Sequence, residues 1–203
     1  MSTALREDAT AAVRFEVETR MPTRRGELRV RAYRDLATGV DHLAVIADPL
    51  GPTPLVRLHS ECLTGEVLDS AKCDCGLQLA AALDAIAAEG GVVVYLRGHE
   101  GRGIGLVNKL RAYRLQEGGL DTVDANTALG LPVDDRDYGS AAAILADLAV
   151  RRVRLMTNNP DKLRQLRDHG VRVVERVPVV VRNGIQSDRY LETKRTRMGH
   201  LLT

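Results

Sequence analysis

The spacing of apolar residues changes along the chain, and this change constrains the fold more than any other feature of the sequence. In the first part apolar residues alternate with polar ones, the period of two that is typical of half-buried strands. Strands are predicted over 13–18, 27–33, 43–47 and 55–59. From Gly76 onward apolar residues recur at helical spacing, until Gly90 and Gly91 predict a helix C-terminus. The chain therefore begins as β-structure and then changes character.

The rest of the chain alternates between short buried strands and helices. Predicted strands cover 92–96, 152–156 and 171–175, and predicted helices cover 104–117, 139–149, 160–169 and a C-terminal segment ending at Gly199. Short strand–helix–strand connections of this kind predict a mixed α/β fold. We expect one domain over 1–203, with a β-rich N-terminal part followed by alternating strands and helices around a mixed sheet. Residues 1–12 are small and polar, and are predicted to form a disordered tail.

The composition excludes several functional classes. The 203 residues include 29 Lys plus Arg and 27 Asp plus Glu, a net charge of +2, without the basic excess of a nucleic-acid clamp. The longest apolar runs, 92–96 and 177–181, are far shorter than the roughly 20 residues that span a bilayer. Charged residues at 6–8 stand where a signal peptide needs an apolar stretch. We expect a cytoplasmic protein with neither nucleic acid nor membrane as a partner.

Three cysteines lie close together in the sequence, at Cys62, Cys73 and Cys75. An odd number argues against a disulfide framework, and an iron–sulfur cluster usually needs four thiolates. Three protein ligands with one open position are typical of catalytic zinc, here with water as the fourth ligand. A turn at Asp74 must bring Cys73 and Cys75 to the same ion, and we expect Lys72 to favour their ionised form. The alternative is three free buried thiols.

A glycine-rich turn follows the predicted strand 92–96. Its glycines, at 98, 101, 103 and 105, allow a ligand to approach the backbone closely, and the next helix presents free N–H groups. Arg97, Arg102, Lys109 and Arg111 add positive charge, so the segment predicts an anion site suited to a polyphosphate. The alternative is a tight turn without a ligand. An acid in such a site, Glu100, suggests contact with the N–H edge of guanine or with Mg²⁺.

Two further polar segments carry candidate chemistry. In 132–138, Asp134 could act as an acid/base carboxylate and Arg136 could meet a phosphate, although the segment could instead be a solvated helix cap. In 155–162, Asn159 is explained as a helix N-cap. That explanation leaves Thr157 and Lys162 as candidate phosphate contacts.

Six segments in this order resemble GTP cyclohydrolase II, the enzyme family that opens riboflavin biosynthesis. They cover 57–79, 97–113, 121–126, 133–139, 155–162 and 189–201. The resemblance implies zinc-dependent hydrolysis of GTP, releasing formate and pyrophosphate and leaving 2,5-diamino-6-(5-phosphoribosylamino)pyrimidin-4(3H)-one. It also implies Mg²⁺ with the triphosphate, a homodimer and, since few residues precede the match, a monofunctional chain.

The resemblance also implies roles for individual residues. The zinc ligands are the three cysteines. Asp134 is the general acid/base, Arg136 acts at the α-phosphate and Tyr113 supports completion of ring opening. An electrostatic role suits Arg136 better than covalent attack, because a guanidinium with a pKa above about 12 is a poor nucleophile. The implied GTP contacts are Arg57, Leu58, His59, Ser60, Glu61, Gln78, Glu100, Gly101, Arg102, Thr122, Thr157 and Lys162.

Three alternatives stay open at this point. A relative could stop early and retain the formyl group, although the presence of Tyr113 argues against it. A paralogue could serve a specialised pathway with the same first reaction. The chain could also be a zinc-stabilised nucleotide-binding module without turnover. Of the histidines, His59 is either a substrate or ligand contact or a structural residue, and His99 and His200 are predicted to be non-catalytic.

Overall fold

A computed structural model describes residues 12–179 and Val181. In order, its elements are β1 (Val13–Thr23), β2 (Gly26–Asp35), β3 (Asp41–Ala47), β4 (Leu55–Ser60), α1 (Leu63–Glu66), α2 (Cys75–Glu89), β5 (Gly91–Leu96), a 3₁₀ turn (Glu100–Gly103), α3 (Leu106–Glu117), α4 (Thr122–Ala128), α5 (Gly139–Asp147), β6 (Arg152–Met156), α6 (Pro160–Asp168) and β7 (Arg172–Val177). The predicted C-terminal helix and the tail before Ala12 lie outside the described residues. No helix in the described part is long and apolar enough to cross a membrane.

The strands form one mixed sheet of seven, in the order β1-β2-β3-β5-β4-β6-β7. The first three strands and β5 pair antiparallel, whereas β5, β4, β6 and β7 pair parallel. The carboxyl ends of the four parallel strands therefore meet at one edge, the position where open α/β sheets bind ligands. The predicted mixed α/β fold is confirmed.

Helices cover both faces of the sheet because its central strands are apolar on both faces. On one face Val94 and Leu58 pack in a core with Leu145 of α5 and Leu166 of α6. On the other, Val93 packs in a core with Ala82 and Ile86 of α2. Successive side chains of a strand point to opposite faces, so the uninterrupted apolar run of β5 supplies both cores.

Differences from the predicted elements have local causes. The helix predicted over 139–149 ends at Asp147, and Ala149 has a positive φ of 58° that a continuing helix does not allow. The first strand runs five residues further than predicted, to Thr23, and includes Pro22, which an edge strand tolerates. Three short elements were not predicted: α1, the 3₁₀ turn and α4.

Asp121 holds the start of α4, where Thr122 is the first helical residue. Its Oδ1 accepts hydrogen bonds from the backbone N–H groups of Val123 and Asp124, at 2.8 and 2.9 Å. We expect Asp121→Ala to lower the free energy of unfolding by about 1 kcal/mol, the usual cost of a lost N-cap, measured by urea denaturation. Asp121→Asn is the matched control because asparagine caps equally well. Equal losses in both variants would contradict a capping role.

Candidate active site

The three cysteines come together beyond the carboxyl end of β4. Cys62 precedes α1, Cys73 lies in the following loop, and Cys75 opens α2. Their sulfur atoms all lie within 4.8 Å of one another, with Cys62 and Cys73 3.7 Å apart. Ligands at about 2.3 Å around a tetrahedral zinc are separated by roughly 3.8 Å, so the sulfur atoms are spaced to hold such an ion. The chain bends at Asp74, the N-cap residue of α2, between the second and third ligands.

Two glycines allow this cluster to be compact. A Cβ at Gly65 would lie 2.6 Å from the Cys73 Sγ and 3.4 Å from the Cys62 Sγ. A Cβ at Gly76 would lie 2.3 Å from the carbonyl oxygen of Gly65. Helix α1 therefore rests directly on the start of α2, with the Cys62 and Cys73 thiols close to Gly65.

We expect Gly65→Ala to displace the thiols and weaken metal binding by at least tenfold. The added methyl group would meet the Cys73 sulfur well inside contact distance, and Gly65 has no positive φ, so the effect is one of space alone. Binding of Zn²⁺ measured by competition with a chromophoric chelator tests this. Gly51→Ala is the control, since its Cβ would have no atom within 4 Å. Unchanged affinity in Gly65→Ala would count against a sterically tight site.

A lysine from α3 supplies the charge beside the thiols. The Nζ of Lys109 donates hydrogen bonds to the Cys62 Sγ at 2.9 Å and to the Glu100 Oε1 at 2.6 Å. Hydrogen bonds with Cys73 and Cys75, together with this cation, hold the pKa of the Cys62 thiol well below its usual range. Cys62 is therefore the thiol of the set that ionises most readily.

Lys72, expected to favour the ionised form of the thiols, lies over an aromatic ring. Its Nζ lies 4.7 Å from the centre of the Tyr113 ring and 3.6 Å from the Glu117 carboxylate. The loop before Cys73 directs the lysine over the aromatic ring. The cation beside the thiols comes instead from Lys109, which had been assigned to the anion-binding turn.

The glycine-rich turn folds Glu100 inward. Its Oε2 accepts a hydrogen bond from the backbone N–H of Leu63 at 2.7 Å, and its Oε1 accepts from Lys109. Gly101 and Arg102 have φ values of 60° and 65°, and a Cβ at Gly101 would lie 2.8 Å from the Ile104 side chain. The acid in this turn thus has donors within the protein, and the turn connects the sheet edge to the cysteine loop.

Two adjoining pockets bring together most of the predicted site residues. The first is lined by the three cysteines together with Ser60, Glu61, Gly101, Arg102, Tyr113, Thr122 and Arg136. The second is lined by Arg57, His59, Gln78, Thr157 and Lys162, and shares Ser60, Cys75, Arg102 and Arg136 with the first. Three predicted residues line neither pocket: Asp134, Leu58 and Glu100. The Leu58 side chain is in the apolar core, and Glu100 is buried against Lys109.

The second pocket forms where the parallel strands separate. The register between β4 and β6 has two residue pairs, the last between Val56 and Leu155. Beyond it, Arg57 donates to the carbonyl oxygen of Met156 at 3.0 Å, and Lys162 donates to that of Leu58 at 2.7 Å. Asn159 caps α6 through Asp161 N–H, as predicted. Arg57 and Lys162 therefore place two cations beside the cavity, which favours an anionic ligand.

Asp134 lines neither pocket, but it forms an ion pair with Arg136, which lines both. The Arg136 Nε donates to Asp134 Oδ1 at 2.8 Å, and its Nη1 lies 3.4 Å from the Ser60 Oγ. Burial opposes ionisation of Asp134, but the hydrogen bonds and charge of Arg136 prevail and lower the pKa of that carboxyl. Asp137 instead accepts a hydrogen bond from the Gly139 N–H at the start of α5, a helix whose N-cap residue is Tyr138.

The remaining candidates near the thiols are neutral groups. The Tyr113 hydroxyl lies 3.5 Å from the Thr64 Oγ1, and burial raises its pKa to about 12. His59 pairs through Nε2 with Glu66 at 2.9 Å and stacks on Tyr95. Burial lowers the pKa of His99 to about 3, and its Nδ1 lies 3.1 Å from the Ser60 Oγ.

The sequence did not lead us to expect that Lys109 contacts the thiols. Lys109 is four residues before Tyr113 on α3, and residues four apart lie on the same face of a helix. That spacing was the available signal, because a helix that presents Tyr113 to the pocket also presents Lys109.

The fold and the site define a mixed α/β domain that carries a three-thiol candidate metal centre at the carboxyl edge of its sheet, beside cation-lined pockets. A family model described as GTP cyclohydrolase II matches residues 14–178. The chain belongs to the GTP cyclohydrolase II family. The family-level expectation from the sequence is therefore confirmed.

Curated relatives agree with this assignment. The riboflavin biosynthesis protein RibBA of Salinispora tropica is 55% identical over 193 residues, covering 94% of this chain and 48% of the relative. RibBA of Mycobacterium ulcerans is 55% identical over 193 residues, covering 92% and 45%. The chain thus spans about half the length of these relatives. A solved structure titled as RibBX, a two-domain 3,4-dihydroxy-2-butanone 4-phosphate synthase from A. baumannii, matches with a TM-score of 0.49 and 19% identity, over 85% of this chain and 41% of that one.

Proposed function

We propose that this chain hydrolyses GTP, opening the imidazole ring with release of formate and pyrophosphate to give 2,5-diamino-6-(5-phosphoribosylamino)pyrimidin-4(3H)-one, the first step of riboflavin biosynthesis. The observation that carries the proposal is the juxtaposition of three clustered thiols and a pocket lined by Arg57, Arg102, Arg136 and Lys162. The thiols can bind a metal ion that activates water, and the cations of the neighbouring pocket can bind a polyphosphate.

Cys62, Cys73 and Cys75 hold the zinc in this proposal. Zinc with three thiolates and an open fourth position supplies a nucleophilic water by lowering the pKa of that water toward about 7. The thiols line the first pocket, so the guanine ring belongs there, with its C8 toward them. Asp134, whose lowered pKa keeps it ionised at neutral pH, accepts a proton as general base. The neutral Tyr113 phenol donates a hydrogen bond during ring opening.

The triphosphate belongs in the second pocket. Its cations, with Mg²⁺ as cofactor, offset charge that develops as pyrophosphate leaves. Arg136, which lines both pockets, stabilises the α-phosphate electrostatically. We assign further GTP contacts to Arg57, His59, Ser60, Glu61, Gln78, Gly101, Arg102, Thr122, Thr157 and Lys162. Leu58 and Glu100 support the pocket from behind, through Lys162 and Lys109 respectively. We also propose a cytoplasmic homodimer.

Mass spectrometry of the products tests the proposal. The zinc-loaded chain is incubated with GTP and Mg²⁺, and formate and pyrophosphate are quantified alongside the nucleotide product. The diaminopyrimidinone ribosyl monophosphate supports the proposed reaction. A product that keeps the formyl carbon means that hydrolysis stops after the first step. Unchanged GTP with verified zinc content rejects GTP turnover and favours a nucleotide-binding module.

The ion pair with Arg136 also sets a pH dependence. A general base is lost as the pH falls through its pKa, and Arg136 keeps the pKa of Asp134 below its ordinary value. Arg136→Gln leaves burial as the main influence, and burial raises the pKa of a carboxyl. We therefore expect the acid limb of kcat/KM to move to higher pH in Arg136→Gln, whatever the loss in maximal rate. Superimposable normalised profiles for the variant and the original chain would contradict Asp134 as the base.

A further inference from the structure

Lys109 is a buried cation that carries out no chemical step in the mechanism above, where it appears only as the partner of Glu100 behind the pocket. The residue is only 8% exposed, on the face of α3 that packs toward the cysteines. Its Nζ lies 2.9 Å from the Cys62 sulfur, 2.6 Å from a Glu100 oxygen and 5.7 Å from the centre of the Tyr113 ring. A charged lysine is rarely buried unless it is paired, so these contacts are the reason for its position.

The thiol set needs such a cation. Three thiolates around one divalent ion leave a net negative charge. Because Cys62 and Cys73 are buried, this charge is shielded from water. Buried charge is costly unless it is offset and hydrogen-bonded. A hydrogen bond from the ammonium group to the Cys62 sulfur does both at once.

Glu100 closes a ring of contacts around Cys62. One carboxylate oxygen holds the Lys109 ammonium, and the other accepts from the backbone N–H of Leu63, the residue next to Cys62. The carboxylate therefore fixes the lysine relative to the backbone that carries the ligand. Lys109 therefore holds the Cys62 sulfur, while Glu100 holds the backbone next to Cys62.

We propose that Lys109 is a positioning residue for the metal centre, which orients the Cys62 thiolate and offsets the charge of the three sulfurs, with Glu100 as its anchor. This inference rests on the zinc site of the proposed function. It concerns how firmly the ion is held, and its test does not depend on turnover.

Metal affinity in lysine variants tests the proposal. Zn²⁺ and Co²⁺ dissociation constants are measured by competition with a chelator, and Co²⁺–thiolate absorption reports how many sulfurs bind. Groups that support metal ligands typically contribute 10–100-fold in affinity, so we expect a loss of that size in Lys109→Met. Lys109→Arg, which keeps the charge, is expected to retain most of the affinity. If Lys109→Met does not fold by circular dichroism, Lys109→Gln takes its place.

Lys72→Met is the matched control. Lys72 lines the same pocket, but its Nζ faces the Tyr113 ring and the Glu117 carboxylate. We expect its metal affinity to equal that of the original chain. Equal affinity in the original chain and the neutral Lys109 variant overturns the positioning role, as does an equal loss in the Arg and neutral variants. If the original chain and Cys73→Ser bind metal equally weakly, the zinc site itself is wrong.

Discussion

Cys73→Ser is expected to lose stoichiometric zinc and to lower the rate of GTP hydrolysis by about 10³-fold or more. A metal ion contributes several kcal/mol to transition-state stabilisation, and each 1.4 kcal/mol corresponds to a factor of ten. Cys73 lies between the other two ligands in sequence, and its sulfur is 3.7 Å from that of Cys62. A serine hydroxyl in its place is a poor zinc ligand at neutral pH, and the two remaining thiols are too few to hold the ion tightly.

Metal content by inductively coupled plasma mass spectrometry and turnover of GTP are measured on the same samples. The original chain, stripped with a chelator and then reloaded with zinc, is the control and should recover its activity. Circular dichroism distinguishes the two roles of a metal. A folded and inactive Cys73→Ser variant supports a catalytic ion, whereas global unfolding supports a structural one. Full activity without metal would reject zinc chemistry at these thiols.

The parts of the site that could be predicted are those carried by local signals. The cysteines are thirteen residues apart at most, and Asp74 marks the turn between two of them, so their convergence follows from sequence spacing. The strands 92–96 and 152–156 are likewise predicted from short apolar runs. In the structure they span Gly91–Leu96 and Arg152–Met156. Local sequence is enough for such elements because each is defined by its own residues.

What could not be predicted depends on contacts between distant segments. Lys109 reaches Cys62 across 47 positions, and Glu100 reaches Leu63 across 37. Sequence proximity pointed to Lys72 as the cation beside the thiols, but a lysine one residue from a ligand can point away from it. The helix α4 has seven residues, too few for a period to be recognised, and only the cap at Asp121 marks its start.

Asp134→Asn is expected to lower kcat for GTP hydrolysis by about 10²–10⁴-fold, the usual contribution of a positioned general acid or base. The amide that replaces the carboxylate keeps its size and can still accept a hydrogen bond from Arg136, but it cannot take up a proton. Because Arg136 remains and the volume is unchanged, binding of GTP should be altered much less than turnover. Steady-state kinetics together with equilibrium binding of a non-hydrolysable GTP analogue separate the two effects.

Asp135→Asn is the matched control, because it makes the same change at the next residue. Asp135 is exposed, and its backbone N–H donates to the carbonyl oxygen of Arg102, a contact that the substitution leaves in place. Its kcat should therefore stay within about twofold of the original chain, since surface substitutions have small effects. Comparable losses in both variants would mean that the negative charge of the 132–138 segment matters as a whole, and would remove the case for Asp134 as the base. A loss confined to Asp134→Asn assigns proton transfer to Asp134, the carboxylate that pairs with Arg136.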